Sequence, residues 1–245
     1  MSRLLATLSL KEWWQQFPHK LQLLTKIRLI ASIGAGGVLY LSPLVFNELE
    51  LSATQIGSGI TCAAFAGTIT RIVTGISLEQ GACCSIPIKI ASILAIIADL
   101  IFFKSQNYDT YLQGQFILGA AAGIYWPSIE LAVPISCNEN NSQKGFALAR
   151  TADAFGISIG VLIGTIAAST GLIKLIYIID FACMLILIYI LKGKIFKQSK
   201  AGNMPFKPPR KHNSLSLRIK PKIYLITRIY PILILTLFVT SILSL

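Results

Sequence analysis

The sequence predicts an all-α integral membrane protein, with a six-helix transmembrane bundle followed by an incomplete seventh helix. Of the 245 residues, 54% are hydrophobic and only 13% are charged, whereas soluble domains carry about 25% charged residues. A bilayer core of roughly 30 Å requires about 20 apolar residues for each helical crossing. Six apolar runs of about that length, and the start of a seventh, predict the bundle.

Short connections separate the predicted spans. The spans are residues 28–46, 53–78, 87–103, 111–134, 146–168, 173–191 and 229–245. Small residues interrupt several of them, and glycines at intervals of four share one helix face. Helices in a bilayer use small residues to approach one another, so we expect packing contacts at these glycines, with substrate contact as the alternative. The expected packing positions are Gly75 and, at intervals of four residues, Gly119 with Gly123 and Gly156 with Gly160 and Gly164.

Basic residues define the predicted orientation. In the N-terminal tail, Trp13 and Trp14 favour a short helix at the membrane interface. A linker at 192–228 holds half of the 22 Lys and Arg residues. An even number of crossings separates tail and linker, so the positive-inside rule predicts that both are cytoplasmic at a plasma (inner) membrane. The predicted domains are the tail at 1–26, the bundle at 27–191, the linker at 192–228 and the seventh helix at 229–245.

Composition also argues against several functional classes. The formal charge of +12 could indicate a nucleic-acid partner, but the basic residues flank apolar runs, where they favour lipid headgroups. The five cysteines form no CxxC pair, and both histidines lie in the tails, so we expect no metal ion or other cofactor. We find no nucleophile–base pair or phosphate-binding glycine loop, and therefore expect no enzyme.

Five ionisable residues lie near the cytoplasmic ends of the second, fourth and fifth spans. They are Arg71, Glu79, Glu130, Arg150 and Asp153. A charge inside a membrane is costly and requires a partner, a watery cavity or a function. Two cations and three anions at one depth predict an ion-pair cluster that joins these helix ends. The alternative is that each side chain extends separately to the headgroups.

Two further acids, Asp99 and Asp180, lie deeper in the third and sixth spans. At about 1.5 Å per residue, both fall in the outer half of the membrane. These spans would be equivalent members of two inverted three-helix repeats. We expect each carboxyl group to have a hydrogen-bonded partner such as a Ser or Thr hydroxyl; a coupling site is the alternative.

Three stretches share a pattern with one known family. Residues 47–59, NELELSATQIGSG, are similar to a short outer loop that enters a second helix, and Gly75 and Glu79 have the spacing of the cytoplasmic turn that follows. Residues 115–134, QFILGAAAGIYWPSIELAVP, and 144–150 are similar to the family's fourth and fifth helices. Together with six spans and a long basic loop, they resemble the N-terminal half of a major facilitator superfamily transporter.

Among the positions that depart from the pattern of that family, two bear on coupling. Gln115 stands where proton-coupled members carry an arginine, and Thr165 follows Gly164 where antiporters carry a proline. Neither residue supports proton coupling or antiport at those positions.

The resemblance implies roles for two groups of residues. It implies that the predicted ion-pair cluster latches an inner gate, which opens as two bundles rock about a midplane site. It also implies that the first and fourth spans face a central cavity, so Gln115, Tyr125 and Trp126 are candidates for contacting a substrate. Packing in an aromatic belt is the alternative for Tyr125 and Trp126.

The resulting hypothesis is a secondary active transporter of a small solute that works by alternating access. The chain would be the N-terminal half, embedded in the lipid bilayer, and would need a second six-helix half from a separate chain or a second copy. The alternative is a membrane scaffold or assembly factor that does not transport, or an inactive transporter fragment.

Overall fold

The computed structural model describes residues 10–137 and 142–192, where the chain forms seven α-helices and no strand. The helices are α1 (Leu10–Gln15), α2 (His19–Glu48), α3 (Ala53–Glu79), α4 (Ser85–Lys104), α5 (Tyr108–Ser136), α6 (Ser142–Ser169) and α7 (Leu175–Lys192). All of them belong to one compact unit. The predicted linker beyond Lys192 and the predicted seventh transmembrane helix, 229–245, lie outside the described residues.

Six helices, α2 to α7, are long and apolar enough to cross a membrane, which confirms the predicted all-α six-helix fold. Local signals set several ends. Pro18 precedes α2, which therefore begins inside the segment predicted as a tail. The hydroxyl of Ser52 accepts a hydrogen bond from the backbone of Gln55 at 3.3 Å and caps α3. Asn107 caps α5 in the same way.

Two close-packed helix pairs form the bundle, and the first joins α2 to α6. A Cβ atom built on Gly156 would lie 2.7 Å from the carbonyl oxygen of Leu29, and one on Gly160 would lie 3.2 Å from the backbone nitrogen of Gly37. Gly164 lies against Leu41 in the same way. Since these distances leave no room for a side chain, the glycine face of α6 allows backbone contact with α2.

The second pair joins α3 to α5. Gly119 lies against the backbone of Ala63, Gly123 lies against Thr70, and a Cβ on Gly67 would lie 2.9 Å from the carbonyl oxygen of Gly119. The sixth predicted packing glycine, Gly75, is exposed and a Cβ there would meet nothing within 4 Å. It faces away from α5 and is not a packing position within this bundle.

Helices α4 and α7 complete the bundle by packing against α5 and α2, respectively, and against each other. One apolar core contains the stacked rings of Phe102 and Tyr177, whose centroids are 5.2 Å apart. A second core includes Leu24, Ile129 and Leu187. Buried polar groups, among them Arg28 and Asp153, build the site described next.

Candidate functional site

Arg28 of α2 is the centre of a buried ion-pair cluster. Its side chain is 1% exposed, and its Nη2 donates to Glu130 of α5 at 2.9 Å. Its Nε donates to Oδ1 of Asp153 at 3.0 Å, while Nη2 also donates to Oδ2 of the same carboxylate. This two-point contact matches the planar fork of the guanidinium group. One arginine thus ties α2 to both α5 and α6.

Three neighbours complete this cluster. The hydroxyl of Ser32 donates to Asp153 at 3.2 Å, and the ring of Trp126 covers the Arg28 guanidinium at 5.9 Å from its centroid. Arg150 Nη2 lies 3.1 Å from Glu130, but its side chain is 64% exposed. Two arginines and two carboxylates balance in charge, with one arginine buried and the other at the rim.

The structure therefore brings together Glu130, Arg150 and Asp153 of the five residues predicted to cluster. Arg71 and Glu79 are exposed on α3 and make no ion pair within the described residues. Arg28 replaces them. The first predicted span begins at residue 28, so the sequence analysis treats Arg28 as a residue that flanks the membrane. For that reason Arg28 is absent from the predicted ion-pair cluster.

A usable signal for Arg28 was present in the sequence. Pro18 is a helix-start residue, and Leu21, Leu24 and Ile27 already follow a helical apolar spacing. A helix that begins at His19 places Arg28 well inside the apolar run. An arginine at such a position needs a buried acid.

A cavity of about 420 Å³ lies between α2, α3 and α5. Its polar lining includes Ser42, Thr68, Arg71 and Gln115, and Gln115 is only 7% exposed. The cavity also runs along Gly119, at the contact between α3 and α5. Gln115 and Arg71 thus line the same cavity, and Arg71 does not join the ion-pair cluster.

A second cavity, of about 130 Å³, lies between α2, α4, α5 and α7. Tyr125, Trp126, Ser32 and Asp180 line it. The hydroxyl of Tyr125 is buried and has no hydrogen-bond partner among the described residues. The two cavities share a lining on α2 and α5 that includes Leu39. The three residues predicted to contact a substrate therefore face two neighbouring cavities.

Asp99 and Asp180 are 2% and 1% exposed. The hydroxyl partners expected for them do not occur in the described part of the chain. Both oxygens of Asp99, and Oδ1 of Asp180, are buried without a hydrogen bond. Burial of this kind carries a large desolvation cost, so the pair requires an explanation of its own.

The described segments contain neither a thiol shown to be reactive nor a group of metal ligands. Burial and the neighbouring Cys83 raise the pKa of Cys84, in the turn before α4, to about 11, which disfavours the reactive thiolate. Within 10–137 and 142–192, no group of three His, Cys, Asp or Glu residues could hold a metal ion.

The model of one protein family, the Major Facilitator Superfamily, matches residues 27–245. The chain belongs to the major facilitator superfamily. This confirms the resemblance carried by the second, fourth and fifth spans, and it makes the chain a membrane transporter protein with a helical, bilayer-embedded fold. Among curated proteins, no relative matched the chain.

Proposed function

We propose that this superfamily member is a secondary active transporter of a small solute, and that the solute is held in the 420 Å³ cavity between α2, α3 and α5. The observation that carries the proposal is the buried amide of Gln115 in that cavity. An amide offers both donors and an acceptor to a polar solute. Thr68 and Ser42 add hydroxyls, and Arg71 adds a positive charge.

Alternating access requires a second bundle over this face. Polar groups that line a cavity cannot face hydrocarbon without a cost for each unpaired group. A second six-helix bundle would cover the cavity and rock against the first. It would come from further sequence, a separate polypeptide or a second copy of this chain.

The Arg28 cluster is proposed to keep the moving half rigid. Its buried ion pairs tie α2, α5 and α6 within one bundle, so they need not break as the bundles rock. The exposed residues Arg150 and Arg71 are better placed to act at an inner gate, because neither is enclosed by its own bundle. Glu79, also exposed, is the remaining gate candidate.

Transport by cells or vesicles that contain the complete assembly tests this function. Gln115→Leu keeps the side chain's size but removes its hydrogen bonds, and we expect solute uptake or efflux to fall at least tenfold. Gln113→Leu is the matched control, because Gln113 is exposed on the same helix and lines a different groove. Equal transport by both variants would argue against the cavity.

The competing function is a membrane scaffold or assembly factor. It would be favoured if the assembly, stable in membranes and screened against broad solute libraries, moved none of them. Loss of a partner protein from the membrane on deletion of this chain would support the same conclusion.

A further inference from the structure

The unpartnered carboxyl groups of Asp99 and Asp180 lie together at one depth of the bundle. Asp99 is five residues before Lys104 at the end of α4, and Asp180 is five residues after Leu175 at the start of α7. At 1.5 Å per residue each lies about 7.5 Å from its helix end. The two helices pack against each other, and the two carboxyl groups interact electrostatically.

No basic side chain neutralises this pair. Neither acid takes part in any ion pair of the described chain. The basic residue closest to Asp180 in sequence, Lys174, instead donates to the carbonyl oxygen of Ser105 at 3.5 Å. The pair is therefore unlike the Arg28 cluster, where cations and anions balance.

The other helices around the pair contribute titratable groups but no cation. Tyr125 of α5 interacts with Asp180, and Cys183 of α7 interacts with both acids. Tyr177 of α7 interacts with Asp99 and donates to the hydroxyl of Ser42 on α2 at 3.2 Å. From α2, Gly34 lies directly against Asp180. Described residues of α6 present no charged group to either acid.

Two buried carboxylates without donors cannot both remain ionised. Like charges in a low-dielectric interior repel strongly, and two carboxylates that share a site bind one proton between them. We propose that Asp99 and Asp180 form a proton-binding site, separate from the solute cavity, that takes up one proton from water. The charge of the pair changes from −2 to −1.

A groove and a cavity border this site, one beside each acid. Asp99 lines a groove of about 220 Å³ between α4 and α7, together with Tyr177 and Phe181. Asp180 lines the 130 Å³ cavity shared with Tyr125 and Ser32. Since Ser32 also donates to Asp153, polar groups extend from the proton site to the Arg28 cluster. Most of the residues that line this cavity are apolar, and Ser32, Ser92, Tyr125 and Asp180 are among its polar groups.

The charge state of the pair is expected to act on α2. The carboxyl group of Asp180 lies against Gly34, and α2 also carries Arg28 and part of the solute cavity. A change of one charge at that contact alters the interaction between α7 and α2. The site would thereby make the position of α2 sensitive to pH.

Infrared spectroscopy of the purified protein in lipid nanodiscs tests this site without any transport assay. The C=O stretch of a protonated carboxyl group is resolved from that of a carboxylate. We expect one such band at neutral pH, lost in the Asp99→Asn/Asp180→Asn double variant.

The control variant is Asp109→Asn, because Asp109 is an exposed acid in the first turn of α5; it should leave the band unchanged. A band that survives in the double variant, or is absent from the wild type, would overturn the proposal. So would loss of the band when choline chloride is replaced by sodium chloride, since that result assigns a sodium site instead.

A second measurement protects the test against a variant that does not fold. Carbodiimides add to protonated carboxyl groups in apolar surroundings, so the wild-type protein should carry an adduct on Asp99 or Asp180 by mass spectrometry. Adducts confined to other acids would contradict the proposal. Because both readouts are independent of solute movement, their failure would leave the proposed transport function standing.

Discussion

At the scale of single residues, Arg28 combines a desolvation cost with two compensating ion pairs. Transfer of a charge from water to a protein interior costs several kcal/mol, and only close, hydrogen-bonded partners offset it. Arg28 has such partners in Asp153 and Glu130. The intact cluster therefore contributes little net stability, but loss of one member leaves a buried charge without a partner and destabilises the bundle.

Replacement of Arg28 by methionine tests that dependence. Arg28→Met leaves Asp153 buried without its cation, and we expect a loss of about 3–5 kcal/mol in the free energy of unfolding. Chemical denaturation in micelles, followed by circular dichroism, measures it. The triple variant Arg28→Met/Glu130→Gln/Asp153→Asn should recover most of the loss, because no buried charge remains and the unpaired Arg150 is 64% exposed.

The matched control for Arg28 is Arg150→Gln. Arg150 is 64% exposed, and exposed ion pairs contribute about 1 kcal/mol or less. A loss as large for Arg150→Gln as for Arg28→Met would show that burial does not govern the cluster.

The reactivity of the Cys84 thiol, which lies outside the transmembrane helices, is predicted to depend on pH. Its pKa is raised to about 11 by burial, so the thiolate fraction at pH 8 is small and grows as the pH rises toward that value. A protein whose other cysteines are replaced should react with iodoacetamide more slowly at pH 8 than a free thiol. In denaturant the rates should become equal; equal rates in the folded protein would refute the shift.

At the scale of helices, glycine faces decide which helices pair. Gly156 and Gly160 bring α6 onto α2, and Gly119 and Gly123 bring α5 onto α3. In lipid the hydrophobic effect does not drive helices together, so their association depends on close packing of the backbones at small residues. The exposed Gly75 has no such role inside this bundle.

A matched pair of alanine substitutions separates these two kinds of glycine. Gly156→Ala places a Cβ 2.7 Å from the carbonyl oxygen of Leu29, and we expect a loss of about 1–3 kcal/mol from overpacking. Gly75→Ala should instead be neutral or stabilising by up to about 1 kcal/mol, because alanine is the better helix former. Thermal unfolding in the same micelles compares them. Destabilisation of equal size would contradict the assignment of Gly75.

The sequence predicts the positions of these helices better than it predicts which side chains contact one another between them. Apolar runs and glycine spacing are local features, so the six spans followed directly. The neighbours of Arg71 depend on helix rotation, which no local pattern encodes. The structure places it beside Gln115 in a cavity instead of beside Glu130. The unpartnered state of Asp99 does not follow from the sequence either, because hydroxyl-bearing residues are frequent there, yet none in the described part of the chain donates a hydrogen bond to Asp99.

At the scale of the whole molecule, the bundle has two distinct ends. The Arg28 cluster lies toward the end where α2 begins, and the Asp99–Asp180 pair lies toward the end where α4 finishes and α7 begins. The first is balanced in charge, whereas the second is expected to change its charge with pH. Exposed apolar side chains such as Phe65 and Phe155 cover the outside of α3 and α6, where lipid or a second bundle can meet them.

Which end faces the cytoplasm is the remaining property of the whole molecule, and two exposed residues at opposite ends can decide it. Asp109 lies in the first turn of α5 and Lys144 in the first turn of α6. The positive-inside rule places Lys144 in the cytoplasm. In a cysteine-free protein, a membrane-impermeant maleimide should therefore label Asp109→Cys in intact cells. It should label Lys144→Cys only after permeabilisation, and the reverse pattern would invert the topology.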